Sequence, residues 1–102
     1  MAEHIERRKL INALNDLDKS LFNIINSSIC QWDPIDAICC GDIQEDYEWS
    51  TWECFKLIKE GKDISKFFNE EYFEINSVSD IKQEMFDGVK ADLYRKIMNE
   101  HG

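Results

Sequence analysis

Seven carboxylates, Asp33, Asp36, Asp42, Glu45, Asp46, Glu48 and Glu53, fall in a stretch that contains no lysine or arginine. Extended back by one residue, the stretch also holds all three tryptophans, Trp32, Trp49 and Trp52. Carboxylates steer a basic protein and make charge-assisted hydrogen bonds to arginine, while tryptophans supply contact area that anchors an interface. Together they are the chemistry of tight binding to a basic partner. Paired carboxylates also serve general acid–base catalysis, but their abundance here singles out no pair. The plain structural alternative is an acidic solvated face with the tryptophans in the protein's own core.

Other reactive side chains are sparse. The two histidines, His4 and His101, lie beside the ends of the sequence, where a base or metal ligand is poorly held. Cys30, Cys39, Cys40 and Cys54 do not follow the paired spacing by which two thiolates meet one zinc ion from a tight turn. They read as reduced, apolar thiols of a cytoplasmic protein. The acids do not follow the EF-hand spacing, and no P-loop, dinucleotide fingerprint or nucleophile elbow occurs. The expectation is a binding protein without cofactor or metal, not an enzyme.

With 21 acidic and 12 basic residues in 102, the chain has a formal net charge of −9. That charge disfavours phosphate backbones and anionic membranes as direct partners. Its distribution is uneven: residues 1–26 are neutral, with four acids and four bases, and residues 61–102 sum to −3. The central segment carries the remainder. No leader or membrane-spanning run is expected, and 43% hydrophobic residues with 12% aromatics suffice for a core.

The elements that position these groups read as an all-α single-domain bundle over residues 1–102, with four or five helices. Leu10, Leu14, Leu17, Leu21, Ile24 and Ile25 form a stripe that predicts a helix from about Glu3 to Asn26, ended near Ser28 by Asn26, Ser27 and Ser28. Asp33 before Pro34 predicts a short helix from Pro34 to Cys40, with Trp32 as a staple at its start. A third helix spans Gln44 to Glu60, with Gly61 as its C-terminal glycine. Asp63 caps a segment with Ile64, Phe67, Phe68 and Tyr72 on one face, and Phe73 and Ile75 alternate with polar residues, which admits a short strand and an α+β alternative. Ser77 and Asp80 open a last helix carrying Ile81, Met85, Val89, Leu93 and Ile97, interrupted by Gly88.

Helix phase sorts the tryptophans. On the helix from Gln44 to Glu60, Tyr47, Thr51, Cys54, Phe55 and Ile58 share the core face, Trp52 lies at its edge, and Trp49 points nearly opposite, between Glu45 and Glu53. Trp49 is therefore expected to be an exposed binding anchor. Leu57 also leaves the core face, so a second buried side would take Trp49 with it.

The Trp32-Asp33-Pro34-Ile35 start, the Glu45-Asp46-Tyr47 stretch and the Lys59-Glu60-Gly61-Lys62 end resemble small helical bacterial proteins of unassigned function. In size, acidity and tryptophan content the chain resembles bacterial immunity proteins, which bind and neutralise a toxin. That resemblance implies a basic toxin partner, such as a nuclease, blocked by occlusion of its active site. The alternative is a regulatory or structural helical domain that self-associates or binds another protein's helix.

Overall fold

Asn15 divides the first helical stretch. In the computed structural model, which describes residues 2–34 and 43–100, α1 spans Ala2–Asn12 and α2 spans Asp16–Trp32. The backbone at Asn15 is extended, and its side chain accepts a 2.8 Å hydrogen bond from the Asp18 amide. This supplies one of the donors that a new helix start leaves unpaired. The expected single helix from Glu3 is therefore two helices.

The expected stop near Ser28 does not occur. Asn26 donates from Nδ2 to Thr51 Oγ1 on the neighbouring helix at 3.1 Å instead of competing for its own backbone. Ser28 faces the core, and α2 runs on until Asp33 adopts the left-handed conformation, with φ of 52°, and its amide returns to the Ile29 carbonyl at 2.8 Å. Asp33 thus terminates α2. Of the short helix expected from Pro34 to Cys40, Pro34 stands in a turn and the rest lies outside the described residues, including Asp36, Cys39 and Cys40, as does Asp42.

Helix α3, Ile43–Lys59, ends at Gly61 as its sequence indicates. Gly61 has φ of 75°, its amide bonds to the Ile58 carbonyl, and the Lys62 amide bonds to the Leu57 carbonyl. These paired bonds satisfy carbonyls that the helix end would otherwise orphan.

Asp63 then accepts from the Ser65 amide at 2.7 Å and opens a continuous helical run over 65–75. It consists of α4, Ser65–Phe67, a π turn, Phe68–Tyr72, and α5, Phe73–Ile75. The Phe73 amide reaches back five residues to the Phe68 carbonyl. A wider π turn brings positions four and five apart onto one side, so Phe67, Phe68, Tyr72 and Phe73 are all buried. The alternating Phe73–Ile75 segment is therefore helical, and no strand occurs among the described residues.

Ser79, not Ser77, caps α6, Asp80–Glu84, through an Oγ contact with the Lys82 amide; Ser77 forms the preceding turn at φ of 50°. Helix α7, Phe86–Glu100, begins after Met85, so the boundary lies there and Gly88 sits inside a helix. Phe86 and Leu93 carry α7 into the core, while Ile81 and Met85 of the expected stripe are exposed. The architecture is all-α, with six helical units among the described residues if 65–75 is taken as one.

Trp32 joins the ends of these units. It is 2% exposed, and its ring lies 5.4 Å from Phe68, 5.9 Å from Phe73 and 5.7 Å from Phe86. Its indole Nε1 donates to the Lys82 carbonyl at 2.9 Å, and the Lys82 ammonium donates back to the Trp32 carbonyl at 3.0 Å. It is a core anchor closing α2; the following helix on which it is expected to act as a staple lies outside the described residues.

Removing so large a buried ring leaves a cavity and takes one donor from the Lys82 carbonyl, which keeps the Met85 amide. Trp32→Ala is expected to destabilise the fold by about 3–5 kcal/mol in denaturant unfolding. Ser28→Ala should act oppositely. Its buried Oγ has no hydrogen-bond partner among the described residues, and alanine favours the helix, so the thermal midpoint should rise by a few degrees, on the order of 0.5–1 kcal/mol.

Candidate protein-binding surface

The core face of α3 is the one its phase indicates. Tyr47, Thr51 and Cys54 are fully buried and Phe55 is nearly so, while Ile58 packs against the same cluster. Ser50 is buried beside them. The Ser50 and Thr51 hydroxyls donate to the Tyr47 carbonyl at 3.1 and 2.7 Å, which removes the cost of burying them. Lys59 holds Asp18 of α2 at 3.0 Å.

Trp49 corrects the expectation of an exposed aromatic. It is half-buried, stacked on Tyr72 with ring centroids 6.0 Å apart and edge-on to Phe67 at 5.3 Å. The run over 65–75 covers this second side of α3, and Leu57 is partly buried with Trp49. Trp52 occupies the expected edge, stacked on Phe55 at 5.4 Å and tilted against Phe22 at 6.5 Å.

Both tryptophans nevertheless reach the surface. They line a shallow cleft of about 340 Å³ with Glu6, Arg7 and Leu10 of α1 and with Glu53 and Lys56 of α3. Each ring is fixed on one side by the core and meets the cleft on the other, a rigid arrangement that loses little freedom on contact with a partner.

The acids of the predicted surface have diverse surroundings. Asp33 accepts from the Tyr47 hydroxyl at 2.5 Å. Glu48, with a side chain 11% exposed, receives Arg7 at 3.3 Å and Arg8 at 3.1 Å. Glu53 pairs with Lys56 at 3.2 Å and borders the cleft. Glu45 and Asp46 fall in the first turn of α3, where only the backbone is described. The structure thus brings Trp49, Trp52 and Glu53 together, and turns Asp33 and Glu48 toward partners within the chain.

Sequence reasoning did not find the α1 residues Arg7, Arg8 and Leu10, which lie some forty positions from the helix they meet. Nor did it find Glu70 and Glu71, which line a second recess of about 520 Å³ with Leu57 and Phe67. Lys62 and Lys66 line it as well, and Glu53 belongs to both recesses, linking them. No local signal in the sequence marks these contacts, because they depend on how 65–75 and α1 pack on α3.

The buried thiol offers no nucleophile. Burial, assisted by the nearby Glu53 charge, pushes the Cys54 thiol far above its ordinary range, and burial followed by the Asp33 charge raises Cys30. Among the described residues no group of three or more histidine, cysteine, aspartate or glutamate side chains could hold a metal ion. Cys54 should therefore resist iodoacetamide in the folded protein at pH 8 to about 9, and label only after denaturation, as read by mass mapping of the alkylated residue. No protein-family model, curated protein or solved structure matches the chain.

Proposed function

We propose that the chain is an acidic binding protein that neutralises a basic toxin, with a nuclease as the toxin of best-fitting chemistry, by occluding its active site. The observation that carries this reading is the cleft where Trp49 and Trp52 meet solvent beside Glu53, in a chain of net charge −9. A nuclease site is basic because it holds phosphates, and carboxylates on a rigid helix occupy or flank such a site without being cut. Charge speeds the encounter, and the half-buried aromatic rings set the lifetime of the complex.

A second reading, self-association, is favoured by the exposure of Ile75, Ile81 and Met98, at 66%, 73% and 76%. Light scattering separates the two: a concentration-independent homodimer supports self-association, and a monomer supports the inhibitor.

Co-expression with a nuclease toxin domain, if one is encoded beside this gene, should restore growth. Trp52→Ala is expected to weaken the purified complex about thirtyfold or more, chiefly through faster dissociation, and Glu53→Lys to slow association in a salt-dependent way. No rescue and no complex at micromolar concentration would sink the inhibitor reading.

A further inference from the structure

The described side chains of helix α1 meet the body through charge, with no fully buried apolar anchor among them. Of its described side chains, residues 6–12, none is buried and none belongs to the core cluster. Arg7 Nε and Arg8 Nη2 instead take the two oxygens of Glu48, at 3.3 and 3.1 Å. Leu10, three positions after Arg7 and on the same side of the helix, borders the Trp49–Trp52 cleft while remaining 55% exposed. A basic helix thus meets an acidic, aromatic one through adjacent arginines and, at the cleft, Leu10.

We propose that the Glu48–Trp49–Trp52 face of α3 is a receptor for a basic amphipathic helix, and that α1 occupies it in cis as a displaceable strap. The proposal rests on the reading of α3 as the partner-binding face, and it specifies the partner's chemistry. The incoming helix carries adjacent arginines that meet Glu48 and, one turn on, an apolar side chain of leucine size that seats between the tryptophan edges.

The structure of the strap suits displacement. Leu10 is already 55% exposed in place, and Arg8, whose side chain is 48% exposed, is open to screening by salt. Release does not unravel α2, because Asn15 caps that helix with its own side chain. The hinge is the short segment 13–15. Displacement also leaves Glu48 without two of its cationic partners inside a nearly buried site, so the face is poised to accept a replacement pair of guanidiniums.

The test uses the full-length protein and a synthetic capped peptide of residues 2–14 as the probe. Acrylamide quenching of tryptophan fluorescence should increase as NaCl rises from about 0.05 to about 0.5 M. The Arg7→Gln/Arg8→Gln variant should show the higher quenching already at low salt. Added in trans at low salt, the peptide should bind this variant at least about tenfold more tightly than it binds the wild type, and a peptide with both arginines replaced by glutamate should not bind. Glu48→Gln, probed the same way, should lose the peptide while keeping the high quenching. Quenching indifferent to salt and to these substitutions, or equal peptide affinity for wild type and the arginine variant, overturns the proposal. The salt titration needs no variant, so misfolding cannot mask the result. Peptide capture without rescue from a toxin would overturn the toxin assignment alone, and rescue without peptide capture would overturn the strap alone.

Discussion

Trp49 belongs to the core and to the surface at once, and much of the molecule follows from how its ring is held. It stacks on Tyr72, which meets Phe68, and Phe68 lies against Trp32, Phe73 and Phe86. A chain of aromatic contacts therefore runs from the cleft beside α3 to the last helix. Aromatic pairs in offset and edge-on geometry add to the large area that each ring removes from water. The π turn makes this network possible, because only its wider spacing lets Phe67, Phe68, Tyr72 and Phe73 all turn inward from one short run.

Electrostatics divides along the same helix. A net charge of −9 would favour solubility wherever it lay, but much of its described share is committed locally. Glu48 is clasped by two arginines, Asp33 accepts from Tyr47, and Asp18 is held by Lys59. Glu53 stands differently, at the border of both recesses and paired among the described residues with an exposed i,i+3 lysine, a kind of pair that contributes little. Among the described carboxylates of the acidic segment, the charge available to a partner is therefore narrower than their number suggests, and it extends to Glu70 and Glu71 beyond that segment.

What was legible in the residues was local. Gly61 marked the end of α3, Asp63 marked the next start, and the phase of Tyr47, Thr51, Cys54 and Phe55 identified the buried face. What was not legible depended on partners far along the chain. Asn15 interrupts an otherwise continuous leucine stripe through a side-chain bond that the spacing does not reveal. Asn26 and Ser28 failed as stop signals because α3 offered one a hydrogen bond and the core enclosed the other. Trp49 was placed by helix phase on an open face, yet the 65–75 run covers that face; Leu57 was the one hint that α3 has two buried sides. The Arg7 and Arg8 contacts with Glu48 span about forty residues and had no signature at all.

The most direct measurement is the response of the three indole N–H resonances to a basic partner in a two-dimensional nitrogen–proton spectrum. The Trp32 indole donates to the Lys82 carbonyl in the core and serves as an internal reference, while Trp49 and Trp52 line the cleft. Binding through the α3 face predicts that the Trp49 and Trp52 signals shift or broaden in proportion to complex formed and that the Trp32 signal stays in place. A complex that leaves Trp49 and Trp52 unmoved would contradict it.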